Sequence, residues 1–97
     1  MKIEKIDEYV TRLRDYVPNS LAALITDMEG LVIYSTEIAE ERAELIAALC
    51  RDMMQHIRKF IGFFNASNVN LVVVRIDNYA FHIFPGEKII GTVIAKR

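Results

Sequence analysis

The chain has 97 residues and a mass of 11.1 kDa, with 53% hydrophobic and 26% charged residues; that is one small globular domain spanning 1–97 and not a disordered chain. Its 12 basic and 13 acidic residues leave a net charge of −1, without the dense basic face that nucleic-acid binding needs. No apolar run approaches the ~20 residues of a membrane span, and the start, Met1-Lys2-Ile3-Glu4-Lys5-Ile6-Asp7-Glu8, carries acids where a secretory leader would be apolar.

Cys50 is the single cysteine, so no internal disulfide can form, and the expected setting is a reducing, cytoplasmic one. A domain this small buries only roughly 60–68% of the surface its unfolded chain exposes, so a partner or a second copy would add stability.

Ile3, Ile6, Val10, Leu13 and Val17 recur at steps of three and four, which predicts one face of a helix. Pro18-Asn19 ends it, because proline disfavours a helical residue before it. Leu21–Thr26 and Leu31–Ser35 are short apolar runs joined by Asp27-Met28-Glu29-Gly30. Asp opens that turn and Gly supplies positive φ, so the pair reads as a tight hairpin.

A second helix is predicted from about Ile38 to Phe60, with Glu37, Glu40, Glu41 and Glu44 at its start and Arg51, Arg58 and Lys59 near its end, a polarity that suits the helix dipole. Two stripes run along it: a bulky one of Leu45, Leu49, Met53 and Phe60, and a small one of Ala39, Ala43, Ala47, Cys50 and Met54. The small stripe is either the seat of another helix or simply alanine as the best helix former.

Gly62 and Asn65-Ala66-Ser67-Asn68 mark a loop. Strands are then predicted over Val69–Ile76, Tyr79–Phe84 and Lys88–Ala95, with turns at Asp77-Asn78 and Pro85-Gly86-Glu87. Leu71-Val72-Val73-Val74 does not alternate, as expected of a strand covered on both faces. The predicted order is therefore α-β-β-α-β-β-β. Its short strand connections require antiparallel pairing, and the sheet should lie between helix layers in an α+β domain.

Groups for chemistry are few. Cys50 and His56 lie six residues apart, about 120° around a helix, which does not bring a nucleophile to its base. His82 reads as a half-buried strand histidine. Two histidines and one cysteine do not make zinc spacing, and adjacent helical carboxylates alone rarely hold calcium, so no metal, cofactor or enzymatic activity is expected. The glycines at 30, 62, 86 and 91 form no phosphate loop. Arg51, Arg58 and Lys59 with Phe60, Phe63 and Phe64 could suggest nucleic-acid or membrane contact, but three bases are too few for a strong phosphate contribution, and the group reads as core packing beneath a solvated rim. The acidic start Glu37, Glu40, Glu41 and Glu44 reads as a solvated face or a docking patch for a basic partner. An apolar strand at Val69–Ile76, if it formed a sheet edge, would need covering, and pairing with a second copy would cover it.

Ala22-Ala23-Leu24-Ile25-Thr26-Asp27-Met28-Glu29-Gly30-Leu31-Val32-Ile33-Tyr34-Ser35, followed later by Val69–Ile76 and the meander Tyr79–Ala95, resembles the roadblock family, which includes the roadblock-type dynein light chains. The element order matches over essentially the whole chain. The end just after the fifth strand is similar to the dynein light chains, whereas other members append a helix.

The resemblance implies a profilin-like, three-layer α/β/α fold with strand order 2-1-5-4-3. It implies a homodimer, or a heterodimer with a related roadblock protein, in which the second helices pack together and the third strands pair. Carried over by position, that interface falls on Ala43, Ala47, Cys50, Met54, Leu71, Val73 and Arg75. The implied role is a non-catalytic interaction module that regulates or scaffolds a Ras-like small GTPase. The alternative is a small-molecule sensor with Tyr79, Phe81 and His82 lining a pocket against the sheet.

Overall fold

The computed structural model describes residues 3–97; Met1 and Lys2, part of the N-terminal reading above, lie outside the described residues. The elements are α1 (Ile3–Tyr16), β1 (Ser20–Asp27), β2 (Val32–Thr36), α2 (Glu40–Gly62), β3 (Val72–Ile76), β4 (Tyr79–Pro85) and β5 (Ile89–Lys96). They follow the predicted order. The five strands form one antiparallel sheet, β2-β1-β5-β4-β3.

The first hairpin shows how local chemistry sets register. The Asp27 carboxylate accepts from the Glu29 and Leu31 backbone N–H groups, both at 2.9 Å. Asp27 N–H in turn donates to the Leu31 carbonyl at 3.0 Å. Gly30 closes the turn at φ +88°, and a Cβ there would sit 3.3 Å from Arg51 on α2. Both the backbone angle and the close approach favour glycine.

Side chains alternate between the two sheet faces, and each face meets one helix. Ala23, Ile25, Val93 and Ala95 pack with Ile6, Val10, Leu13 and Val17 from α1 and its end. Leu24 packs with Ala43 and Ala47 of α2, while Ile83 and Ile90 pack with Cys50 and Met54. Each fully buried aliphatic side chain contributes about 1.5–3 kcal/mol of transfer free energy, and β1 supplies them to both faces. The helix predicted from the first stripe is therefore confirmed by burial from Ile6 to Val17. Gly91 on β5 lets α1 close in: a Cβ there would meet Leu13 Cδ1 at 2.5 Å and Tyr9 Cε1 at 3.3 Å.

Three expectations change. The helix α2 starts at Glu40, two residues later than predicted, because Glu37 takes a left-handed φ of 63° before the helix and Ala39 serves as its N-cap without a side-chain bond. Strand β3 starts at Val72, not Val69. That strand is also not the doubly covered one: it is an edge, with Val73 40% and Ile76 48% exposed. The helix layers on both faces are real, but the strands covered on both sides are β1, whose residues 22–26 are all buried, and β5, whose residues 90–93 are.

Candidate functional site

At 100° per residue, Ala43, Ala47, Cys50 and Met54 share one side of α2, and they are 0–2% exposed against the chain's own sheet. The expectation that these four residues meet a second copy is corrected: small side chains here let the helix lie close on Leu24, Ile83 and Ile90. The bulky stripe is the open one. Leu45 is 63%, Leu49 54% and Phe60 60% exposed. Met53 is half-buried and joins that stripe to the sheet, because it packs in the cluster that also holds Ile57, Val69 and Val72.

The open helix side thus runs into the β3 edge. Among the described residues strand β3 pairs only with β4. Val73 and Arg75, opposite His82 and Ala80, point to the α1 side of the sheet, whereas Val72 shares the α2 side with Ile83. Leu71 is exposed just before the strand. The predicted edge residues Leu71, Val73 and Arg75 are therefore accessible and contiguous, and the four helix residues expected with them are not. Phe63 and Phe64, at the C-terminal end of α2, are 85% and 68% exposed, and the Phe64 ring stands edge-on to Phe60 at 5.3 Å. Core packing, expected for this trio from sequence, is overturned.

At the other end of α2 the acidic residues flank a groove. Glu40 and Glu41 occupy the first turn, Glu44 the second, and all are exposed, as is Glu37. A groove of about 920 Å³ lies between β2 and α2, lined by Glu29, Leu31, Ile33, Ile38, Glu40 and Glu44 among others, with Arg51 at one end. Arg51 is already engaged: its guanidinium donates to Asp52 Oδ1 at 2.9 Å and to the Glu29 carbonyl at 3.2 Å. It staples the hairpin turn to the helix; among the described residues neither Glu40 nor Glu44 has an ion-pair partner. Sequence reading found the carboxylates but missed Leu31, exposed just before β2, and Ile33, exposed on that edge strand.

Among the described residues the structure does not bring the candidate Cys and His side chains together. Cys50 is buried, within 3.6 Å of the Thr92 hydroxyl, and burial pushes its thiol pKa up, away from nucleophilic character. His56 is exposed on another side of the helix. Tyr79 and Phe81 pair with Lys96 and Ile94, while His82, the residue after Phe81, pairs with Val93 on the opposite sheet face, so these three do not line one pocket. Among the described residues no group of three or more His, Cys, Asp or Glu could hold a metal ion, and no helix is long and apolar enough to cross a membrane.

Comparison with known proteins fits this architecture. A roadblock/LC7 domain from Streptomyces avermitilis superposes with a TM-score of 0.79 at 24% identity, covering 92% of this chain and 77% of that one. MglB of Myxococcus xanthus gives 0.84 at 14% identity over 100% of this chain and 80% of its own. The gliding protein MglB of Thermus thermophilus gives 0.76 at 13% over 92% and 72%. At these identities the likeness is one of fold. No curated protein matches the sequence. The Roadblock/LC7 domain family profile, however, matches residues 6–95, nearly the entire chain from the first turns of α1 to the end of β5, and the chain belongs to the Roadblock/LC7 domain family.

Proposed function

We propose that this chain is a non-catalytic interaction module that pairs with a second roadblock domain and, in that form, regulates or scaffolds a Ras-like small GTPase. The observation that carries the reading is the continuous open apolar surface from Leu45, Leu49, Met53 and Phe60 to the unpaired edge of β3. Exposed apolar area of this kind on a small domain marks an interaction face, and an uncovered edge strand of Val72-Val73-Val74-Arg75-Ile76 invites pairing. Two-fold pairing at β3 extends the sheet and brings the two open helix sides together. Leu71, Val73 and Arg75 border that edge.

Family membership supports the GTPase part, and the acidic start of α2, Glu37, Glu40, Glu41 and Glu44, is the docking patch assigned to the partner. A cytoplasmic setting goes with such a partner. One relative, MglB, has been seen in a tetrameric arrangement, which supports assembly as a property worth measuring first.

The test has two arms. Light scattering at tens of micromolar should give a dimer mass, and Leu49→Arg should return it to the monomer with the fold intact. Affinity capture from native lysate with GDP and with a non-hydrolysable GTP analogue should retain a small GTPase mainly with the analogue. A monomer in the first arm overturns the pairing. Capture of only a related roadblock chain replaces the homodimer by a heterodimer, and no GTPase in either nucleotide removes the regulatory role.

A further inference from the structure

We propose that the groove between β2 and α2 receives an extended, basic segment of another protein, which adds to β2 as a further strand of the sheet. This rests on the docking role given above to the acidic start of α2; it requires neither a second copy nor a GTPase.

Strand β2 is paired on one side only, by β1. Edge strands are commonly blunted by charge or proline, yet Val32-Ile33-Tyr34-Ser35-Thr36 carries neither. Its backbone groups on the free side are available to a chain laid alongside about 4.8 Å away. Alternate side chains of that chain would point to the α2 side of the sheet, where the groove lies. Strand addition of this kind draws affinity from main-chain hydrogen bonds and selectivity from pockets for alternate side chains.

The groove specifies what those side chains are. Leu31 and Ile33, 63% and 46% exposed, offer apolar contact at its rim. Glu29, Glu40 and Glu44 line it, and Arg51, the one cation there among the described residues, is taken by Asp52 and the Glu29 carbonyl. The lining therefore carries uncompensated negative charge and suits lysine or arginine interleaved with aliphatic residues.

The same charges argue against a second copy at this edge. Two-fold pairing of β2 with β2 would set both groups of Glu29, Glu40 and Glu44 near one another, and like charges facing each other are disfavoured. The two sheet edges thus differ in occupant: β3 lies beside the open apolar side of α2, whereas β2 lies beside its carboxylates.

The experiment is an NMR titration of the intact chain with a short capped peptide alternating lysine and valine, and in parallel with its glutamate-for-lysine counterpart. Saturable amide shifts should be confined to Leu31–Thr36 and the first half of α2 for the lysine peptide, and absent for the glutamate one. Glu40→Gln with Glu44→Gln should weaken binding about fivefold, the scale of two exposed charge contacts, and added salt should weaken it further. Ile33→Lys should abolish binding while thermal unfolding stays unchanged.

Shifts centred on β3, equal binding of the acidic peptide, or no saturable shift would each overturn the proposal. Concentration-dependent broadening at β2 without peptide would assign the edge to a second copy and overturn it too. None of these results alters the mass or capture measurements that test the pairing and GTPase reading, so the two can fail separately.

Discussion

The two helices cover opposite faces of one sheet and do so with opposite means. Helix α1 meets it through large side chains, Ile6, Val10 and Leu13, with Val17 just beyond its end, and its described outer face is mostly charged, with Tyr16 exposed at its last turn. Helix α2 meets it through Ala43, Ala47, Cys50 and Met54 and keeps Leu45, Leu49 and Phe60 in solvent. The lesson concerns size. A bulky apolar stripe is not by itself the buried one; where a helix lies close on a sheet, small residues fill the contact and large ones stay exposed. Helix α1 is finished by folding, and α2 is half finished.

The strongest way to break this contrast is to load the small side of α2. Ala47→Arg forces a cation into a site with no exposure against Leu24, and should cost roughly 3–5 kcal/mol, enough to abolish a cooperative melt followed by circular dichroism. Leucine truncation compares the helices directly. Leu13→Ala should cost about 2–4 kcal/mol, whereas Leu49→Ala, on the open side, should stay within about 0.5 kcal/mol while weakening self-association. Equal losses in urea unfolding would erase the distinction.

Gly91→Ala probes the closest approach of α1, where the new methyl meets Leu13 and Tyr9; overpacking should cost about 1–3 kcal/mol, and a neutral result would mean that α1 rides higher on the sheet. Asp27→Ala removes the carboxylate that accepts from Glu29 and Leu31 and should cost about 1–2 kcal/mol, loosening β2 while leaving the buried packing of both helices in place.

The smallest effect is chemical. Burial raises the Cys50 thiol pKa, with the Thr92 hydroxyl opposing in part. The native state therefore keeps its proton to higher pH than the unfolded chain does. Stability should be level below the ordinary thiol range and decline as the pH rises above it. Thiol-reagent kinetics on the folded protein should be slow and should track unfolding.

Much of the fold was legible because its signals are local. Spacing of Ile6 to Val17 gave α1, Asp27 with Gly30 gave the hairpin, and the three closing strands are separated by recognisable turns. The strand order came from the resemblance, since nothing in the individual strands says which neighbours which. What misled were questions of side and edge. Periodicity places Ala47 and Leu49 about 160° apart but does not say which faces the sheet. Composition made Leu71–Val74 look doubly covered, although a strand destined for a partner has the same residues as one destined for the core. Phe60, Phe63 and Phe64 posed the same ambiguity. Glu37 was misread for another reason: its left-handed backbone is imposed by the route from β2 to α2, and glutamate does not announce it.

The position of β2 has a consequence for valency. The sheet runs β2-β1-β5-β4-β3, so an assembly joined at β3 carries one β2 at each far end. A pair of chains is then a two-handled clamp. A partner with two short basic segments, joined by a linker long enough to reach both ends, would be held by avidity, its second segment seeing a millimolar-scale effective concentration when the linker length suits the span. Single segments that bind weakly would be ignored, and the length of the linker would become as selective as its sequence.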